Sequence, residues 1–235
     1  GLVNAVSTGG KVVLDRNDAI TTDGHSVAKV SLETTDATAA DRSIVFHEAS
    51  ALEVITATAT GGLSTPASVA ATSVGGRAQG VKTVAGTSNG AVVIKSGGAL
   101  TVSQAIVTTP SGAGTAGGTV VLEAAGGITT QTSGTITTDG AGNAAGGEVL
   151  LVNATSGNIT IGKALSAQGG SVSAGTASDG GVVTLINTGG NIVLNEAINV
   201  SKNAAGTNDG TIQLKASGDI TDGANGNLVA DTNGL

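Results

Sequence analysis

A glycine followed by an alternating aliphatic stretch recurs along this chain at a nearly fixed interval, and few folds tolerate such a period. The clear anchors are Gly90 (GAVVI), Gly118 (GTVVL), Gly147 (GEVLL), Gly181 (GVVTL) and Gly210 (GTIQL), separated by 28, 29, 34 and 29 residues. The second and fourth residues after each anchor are aliphatic, as in Val120 and Leu122 or Val149 and Leu151. A third aliphatic follows at ten to twelve residues (Leu100, Ile128, Ile159, Ile192, Ile220) and a fourth at sixteen to eighteen (Ile106, Ile136, Leu165, Ile198, Leu228). Between them lie mostly Gly, Ala, Ser, Thr, Asn and Asp.

Alternation with period two is the mark of a half-buried strand. β-branched residues suit strands, and Gly, Asn and Asp suit the turns between them. No amphipathic helix is visible, and interior glycines would weaken one by up to about 1 kcal/mol each. One repeat of this length cannot close its own core, but stacked repeats can. The expectation is an all-β fold, a right-handed parallel β-helix (β-solenoid) of about seven coils of roughly 30 residues. Each coil adds about 4.8 Å, so the rod would be roughly 34 Å long. The rival reading, an antiparallel sandwich of short strands, does not explain why the same offsets return in every unit.

Composition fits a narrow interior. The 235 residues include 39 Gly, a single Phe (Phe46), and no Cys, Met, Trp or Tyr. A core of this size normally uses aromatics for their buried area; here Val, Ile, Leu and Ala must serve. Hydrophobic residues make up 39% and charged residues 11%, the opposite of a disordered chain. The net charge of −7 argues against nucleic acid and anionic membrane as partners, both of which need a basic stripe. No apolar run reaches the ~20 residues of a membrane helix, so membrane insertion is not expected. The lack of Cys removes disulfide and thiol chemistry. Without a signal peptide or initiator Met, the chain reads as a mature product or a segment of something longer.

A single domain is expected over 1–235, in three parts. Residues 1–56 form more charged N-terminal coils: Gly10 anchors Val12, Leu14 and Ile20, and Arg42 stands at an anchor before Ile44, Phe46 and Leu52. Residues 57–89 exceed the period and are read as an insertion or irregular coil, either a specific contact surface or drift. Residues 90–235 form the regular coils.

The stretches GGTVVLEAAGGITTQTSGTITTDGAGN, SGNITIGKALSAQGG and GGNIVLNEAINV resemble repeats of bacterial filamentous-haemagglutinin-like exoproteins and autotransporter passengers. The resemblance covers residues 88–235 and, in part, 9–24. It implies a right-handed β-helical stalk, secreted and displayed on the cell surface, acting in adhesion and biofilm. The family's secretion module and outer-membrane barrel are not found in this sequence, which suggests a piece of a larger protein.

Signals of chemistry are weak beside this pattern. GTSNG places Ser88 in a G-x-S-x-G match, and residues 112–117 (GAGTAG) match G-x-G-x-x-G, but a strand pattern follows each where a helix is needed. His25 and His47 could share a metal only if two coils set them on one face. The turns TTDGAGN, TNDG and TDGANGN offer oxygen ligands of the kind calcium takes, without the spacing of a calcium-roll repeat. Glu123, Glu148 and Glu196 are isolated, with no aromatic platform for a sugar. The threonines of TITT (135–138) are replaced by ALSA (164–167) and AINV (197–200), which breaks an ice-binding array. No catalytic, cofactor-binding or metal-ligating residue is therefore assigned, and no enzyme is expected. The function expected is that of an extracellular structural or adhesive solenoid. Its partners would be copies of itself end to end, or the continuation of a longer chain, with a host-surface or matrix polysaccharide as ligand. An ice-binding solenoid and a polysaccharide-active β-helix enzyme are the alternatives.

Overall fold

The computed structural model describes residues 1–7, 11–14, 25–34, 43–55, 81–83, 90–110, 112, 114–170 and 177–230. They form an all-β, right-handed parallel β-helix of about six turns. Each regular coil contributes three strands that stack on their counterparts in the next coil. The first strands form a seven-stranded sheet: β2 (Val12–Leu14), β4 (Ile44–Glu48), β7 (Val92–Ser96), β10 (Thr119–Ala124), β13 (Glu148–Asn153), β16 (Val182–Asn187) and β19 (Thr211–Ala216). The second strands are β5 (Leu52–Val54), β8 (Leu100–Val102), β11 (Ile128–Thr130), β14 (Ile159–Ile161), β17 (Ile192–Leu194) and β20 (Ile220–Asp222). The third strands are β6 (Val81–Thr83), β9 (Ile106–Val107), β12 (Ile136–Thr137), β15 (Leu165–Ser166), β18 (Ile198–Asn199) and β21 (Leu228–Val229).

The register is that of the repeat. Val120 pairs with Val149, which pairs with Val183, and Leu122, Leu151 and Leu185 follow on the same rungs. Ile128, Ile159 and Ile192 make a second ladder, and Ile136, Leu165 and Ile198 a third. All nine of these aliphatics past the first column are fully buried. Phe46 is accommodated on the Leu122 ladder, one rung below Ile94.

The glycine anchors mark a tight corner where a third strand turns into the next first strand. Gly118 N–H donates to Thr108 O, Gly147 N–H to Thr138 O and Gly181 N–H to Ala167 O. A Cβ on Gly147 would overlap the carbonyl oxygen of Gly118, and one on Gly181 that of Gly147. Coils therefore approach there as only glycine allows.

The N-terminal coils depart from the repeat. Ile20, expected as a third aliphatic, lies outside the described residues. Beneath the second and third strands lies β3 (Lys29–Thr34), which pairs with β5 through Val30↔Val54 and with β6 through Leu32↔Val81. One long strand thus carries two columns and joins them into a fourteen-stranded sheet, with β1 (Leu2–Ser7) paired below it. Of the expected insertion, residues 57–80 and 84–89 lie outside the described residues. Between these two stretches β6 occupies the third-strand place of its coil, paired with β9.

Candidate functional site

A column of buried polar groups, Glu48, Ser96, Asn153 and Asn187, stands at the corner after the first strand. Asn153 and Asn187 occupy equivalent positions on adjacent rungs and are buried. Asn153 Nδ2 donates to Asn187 Oδ1 at 2.8 Å and to the Ser156 and Gly157 carbonyls, while its Oδ1 accepts from Gly127 N at 2.9 Å. Asn187 repeats the pattern one coil on, donating to Asn191 O at 2.7 Å and accepting from Gly189 N. Each amide satisfies backbone groups that a turn would otherwise leave buried and unpaired. Lower in the same column stands Glu48, fully buried. Its carboxylate accepts from Val27 N at 2.8 Å, from Ser50 N at 3.2 Å and from Ser50 Oγ at 2.9 Å. Two of these donors are the backbone N–H groups of Val27 and Ser50, in the connections on either side, so Glu48 ties both connections to its strand.

Outside the tube, carboxylates do similar work between coils. Asp139 Oδ1 accepts from Ser166 Oγ and from Gln168 N one coil on. Asp179 accepts from Thr207 N, Asn208 N and Asn208 Nδ2. The Asn208 bonds, backbone first, hold its carboxyl below the ordinary value of 3.8. Glu53 accepts from Ser103 Oγ at 2.7 Å and pairs with Lys29 at 3.1 Å. The Ser103 bond leads in lowering its pKa from 4.5, Lys29 assists, and desolvation opposes.

The residues singled out in the sequence do not converge. Ser88 lies outside the described residues. Gly112 and Gly114 form a turn, Gly114 with φ 81°, and the segment leads into β10, a strand. His25 and His47 are backbone neighbours, His25 N–H donating to His47 O, but their rings part. His25 stacks on Phe46 with centroids 5.4 Å apart, while His47 sits at an outward position of β4 beside Lys95. Glu123 pairs with Lys95 at 3.4 Å. Glu148 stands opposite Thr119 on the next rung, four residues from Val152, the partner of Glu123. The two carboxylates are thus separated by about 13 Å along the strand, too far to share a proton or a sugar ring. Glu196 follows β17 and is half-buried. In TITT, Thr138 points inward and donates to Ser166 O, and only Thr137 of β12 faces out. Among the described residues, no three His, Asp or Glu side chains gather as a metal site would require. No helix among them is long and apolar enough to cross a membrane.

Two outward features are not anticipated by the repeat. On the second strands, Thr101, Thr129 and Thr160 stack in register, followed by Val193 and Thr221. On the first strands, the outward column is Val13, Val45, Val93, Val121 and Leu150. Both were legible as the residues between the inward aliphatics. No protein-family model, curated protein or solved structure gives a significant match to the chain.

Proposed function

We propose that this chain is a length of extracellular, non-enzymatic scaffold: a bacterial surface stalk or filament subunit with an adhesive role in attachment or biofilm matrix. The observation that carries this reading is the unslipped register of β4 to β19, in which every rung repeats the one before. Such a ladder resists bending and extension because force along the tube loads many parallel strands together. Short polar turns keep the rod hydrated and the acidic balance discourages binding to nucleic acid. Its partners on this reading are other rods end to end, or further coils of a longer chain, and a host or matrix polysaccharide. At the last described rung the ladder residues Ile220 and Leu228 are 48% and 41% exposed, so a further rung would bury them.

The test is an antibody raised to the chain, applied to intact and to permeabilised cells that make it, with attachment to surfaces measured in parallel. Labelling of intact cells and loss of attachment on deletion are expected. Label confined to permeabilised cells would remove the extracellular role. End-to-end assembly is tested by electron microscopy of the purified chain and of Leu228→Pro: Val229 O accepts from Val200 N, so the Val229 backbone faces β18, and strand alternation turns the Leu228 N–H to the open edge. Filaments indifferent to that change would not be built through this edge.

The threonine column supports a second reading, an ice-binding solenoid, because four of its five outward positions from Thr101 to Thr221 carry a hydroxyl and a methyl at strand spacing. Thermal hysteresis lost in Thr129→Lys would favour it over the stalk.

A further inference from the structure

The two outer faces of the tube differ in kind. Over the fourteen-stranded sheet the outward positions carry Lys29 on β3, Glu53, Thr101, Thr129, Thr160, Val193 and Thr221 on the second strands, and Val107, Thr137, Ser166 and Asn199 on the third, so polar residues outnumber aliphatics there. Over the seven-stranded sheet five consecutive rungs place an aliphatic at the central outward position, Val13 through Leu150. The apolar track then shifts two residues along the strand to Val152 and Ile186. It occupies positions whose alternate side chains already fill the core, so the interior has no use for it. Contiguous apolar surface of this extent marks an interaction site.

We infer that the seven-stranded face packs against the same face of a second copy, the two rods lying side by side with their axes antiparallel. Charge selects this arrangement. Beside the apolar track, Lys95 and Glu123 stand on neighbouring rungs, 3.4 Å apart, with side chains 58% and 44% exposed. A two-fold axis running along the strands, between β7 and β10, sets Lys95 of each copy over Glu123 of the other. The same axis sets Val93 over Val121 and Val45 over Leu150. A two-fold along the rod instead reverses each strand, laying Glu148 over Val152, Lys95 over Ala91 and Glu123 over Thr119, so that no charge meets an opposite charge of the other copy. The first arrangement is self-complementary, as a two-fold interface must be, and sheets packed this way lie about 10 Å apart.

The area is sufficient for a concentration-dependent dimer. With the axis between β7 and β10 six of the seven rungs overlap, and six rungs at about 4.8 Å by six residues at about 3.3 Å give a face of roughly 570 Å² per copy, or about 1,100 Å² in total. That stands at the lower edge of specific interfaces. Each added coil would enlarge it in proportion. The inference stands apart from the adhesive role, since it concerns only how two rods meet.

Sedimentation of the full chain over a wide concentration range tests it. A reversible monomer–dimer equilibrium is expected, weakened about tenfold or more by Val121→Lys at the centre of the face. Thr129→Lys on the fourteen-stranded face should leave it unchanged. Lys95→Glu or Glu123→Lys alone should weaken association, and the double exchange should restore it. Far-UV circular dichroism establishes that each variant is folded. Should Val121→Lys not fold, Val93→Thr, which keeps shape and strand preference, should still lower association several-fold. A chain that stays monomeric at high concentration, or a dimer that survives Val121→Lys or Val93→Thr in folded form, would overturn the inference.

Discussion

The regular coils from Gly90 to Ala230 and the N-terminal coils up to Ile55 reach the same tube by different means. In the regular coils glycine anchors such as Gly147 and Gly181 let backbones touch, and two adjacent rungs meet their buried turn groups with neutral amides, Asn153 and Asn187, where the equivalent positions elsewhere are Ser96, Ala124 and Ala216. In the N-terminal coils the equivalent inner corner holds a carboxylate, Glu48, and one strand, β3, stands under two columns. The inward ladder is thus the constraint the fold enforces. The corners are local solutions, interchangeable only where donors and acceptors are counted correctly.

That contrast can be broken in order of expected effect. Gly147→Ala should be the most severe change, costing about 4 kcal/mol or more in urea unfolding, because its Cβ meets backbone of Gly117 and Gly118 that cannot yield. Gly1→Ala, with nothing within 4 Å, should shift stability by less than about 0.5 kcal/mol. Asn153→Ala follows, at about 3 kcal/mol, since it strands Gly127 N–H inside the tube and takes one of two donors from the Asn187 amide oxygen, which keeps Gly189 N–H. Glu48→Gln should cost about 1–2 kcal/mol, as one of its acceptors becomes a donor facing donors. If Asn153→Ala proves milder than Glu48→Gln, the regular coils do not depend on their amide ladder as described.

The smallest effect is in the acid limb of stability. Glu53 and Asp179 are both held below their ordinary values of 4.5 and 3.8 by hydrogen bonds formed only in the folded chain. Their stabilisation is complete above those values and is lost as pH falls through the lowered ones. Thermal midpoints of Glu53→Gln and Asp179→Asn should therefore lie slightly below the parent at neutral pH and converge on it only as pH falls through the lowered values.

Much of this could be read from the chain before any coordinates. Inward aliphatics declare themselves because a ladder needs the same residue class at the same offset in every coil. The asparagine pair was equally periodic, closing LLVN and TLIN, but a polar residue at a strand end looks like the start of a turn. The strand KVSLET carries the right alternation without a glycine before it, so an anchor-based reading passes over it. The outward valines were missed for the opposite reason: attention to the buried parity discards every second residue, and here the discarded set carries a pattern of its own.

One feature of the second coil bears on how such molecules change. Residues 55–80 separate β5 from β6 in sequence, yet Leu52 still pairs with Leu100 and Val81 with Ile106 without a shift. The rungs above and below keep their register with this longer stretch of sequence between the two strands. A solenoid of this kind offers side branches that can grow, shrink or be exchanged for foreign sequence while the shaft stays true. New recognition elements could be grafted at that junction with no redesign of what carries them.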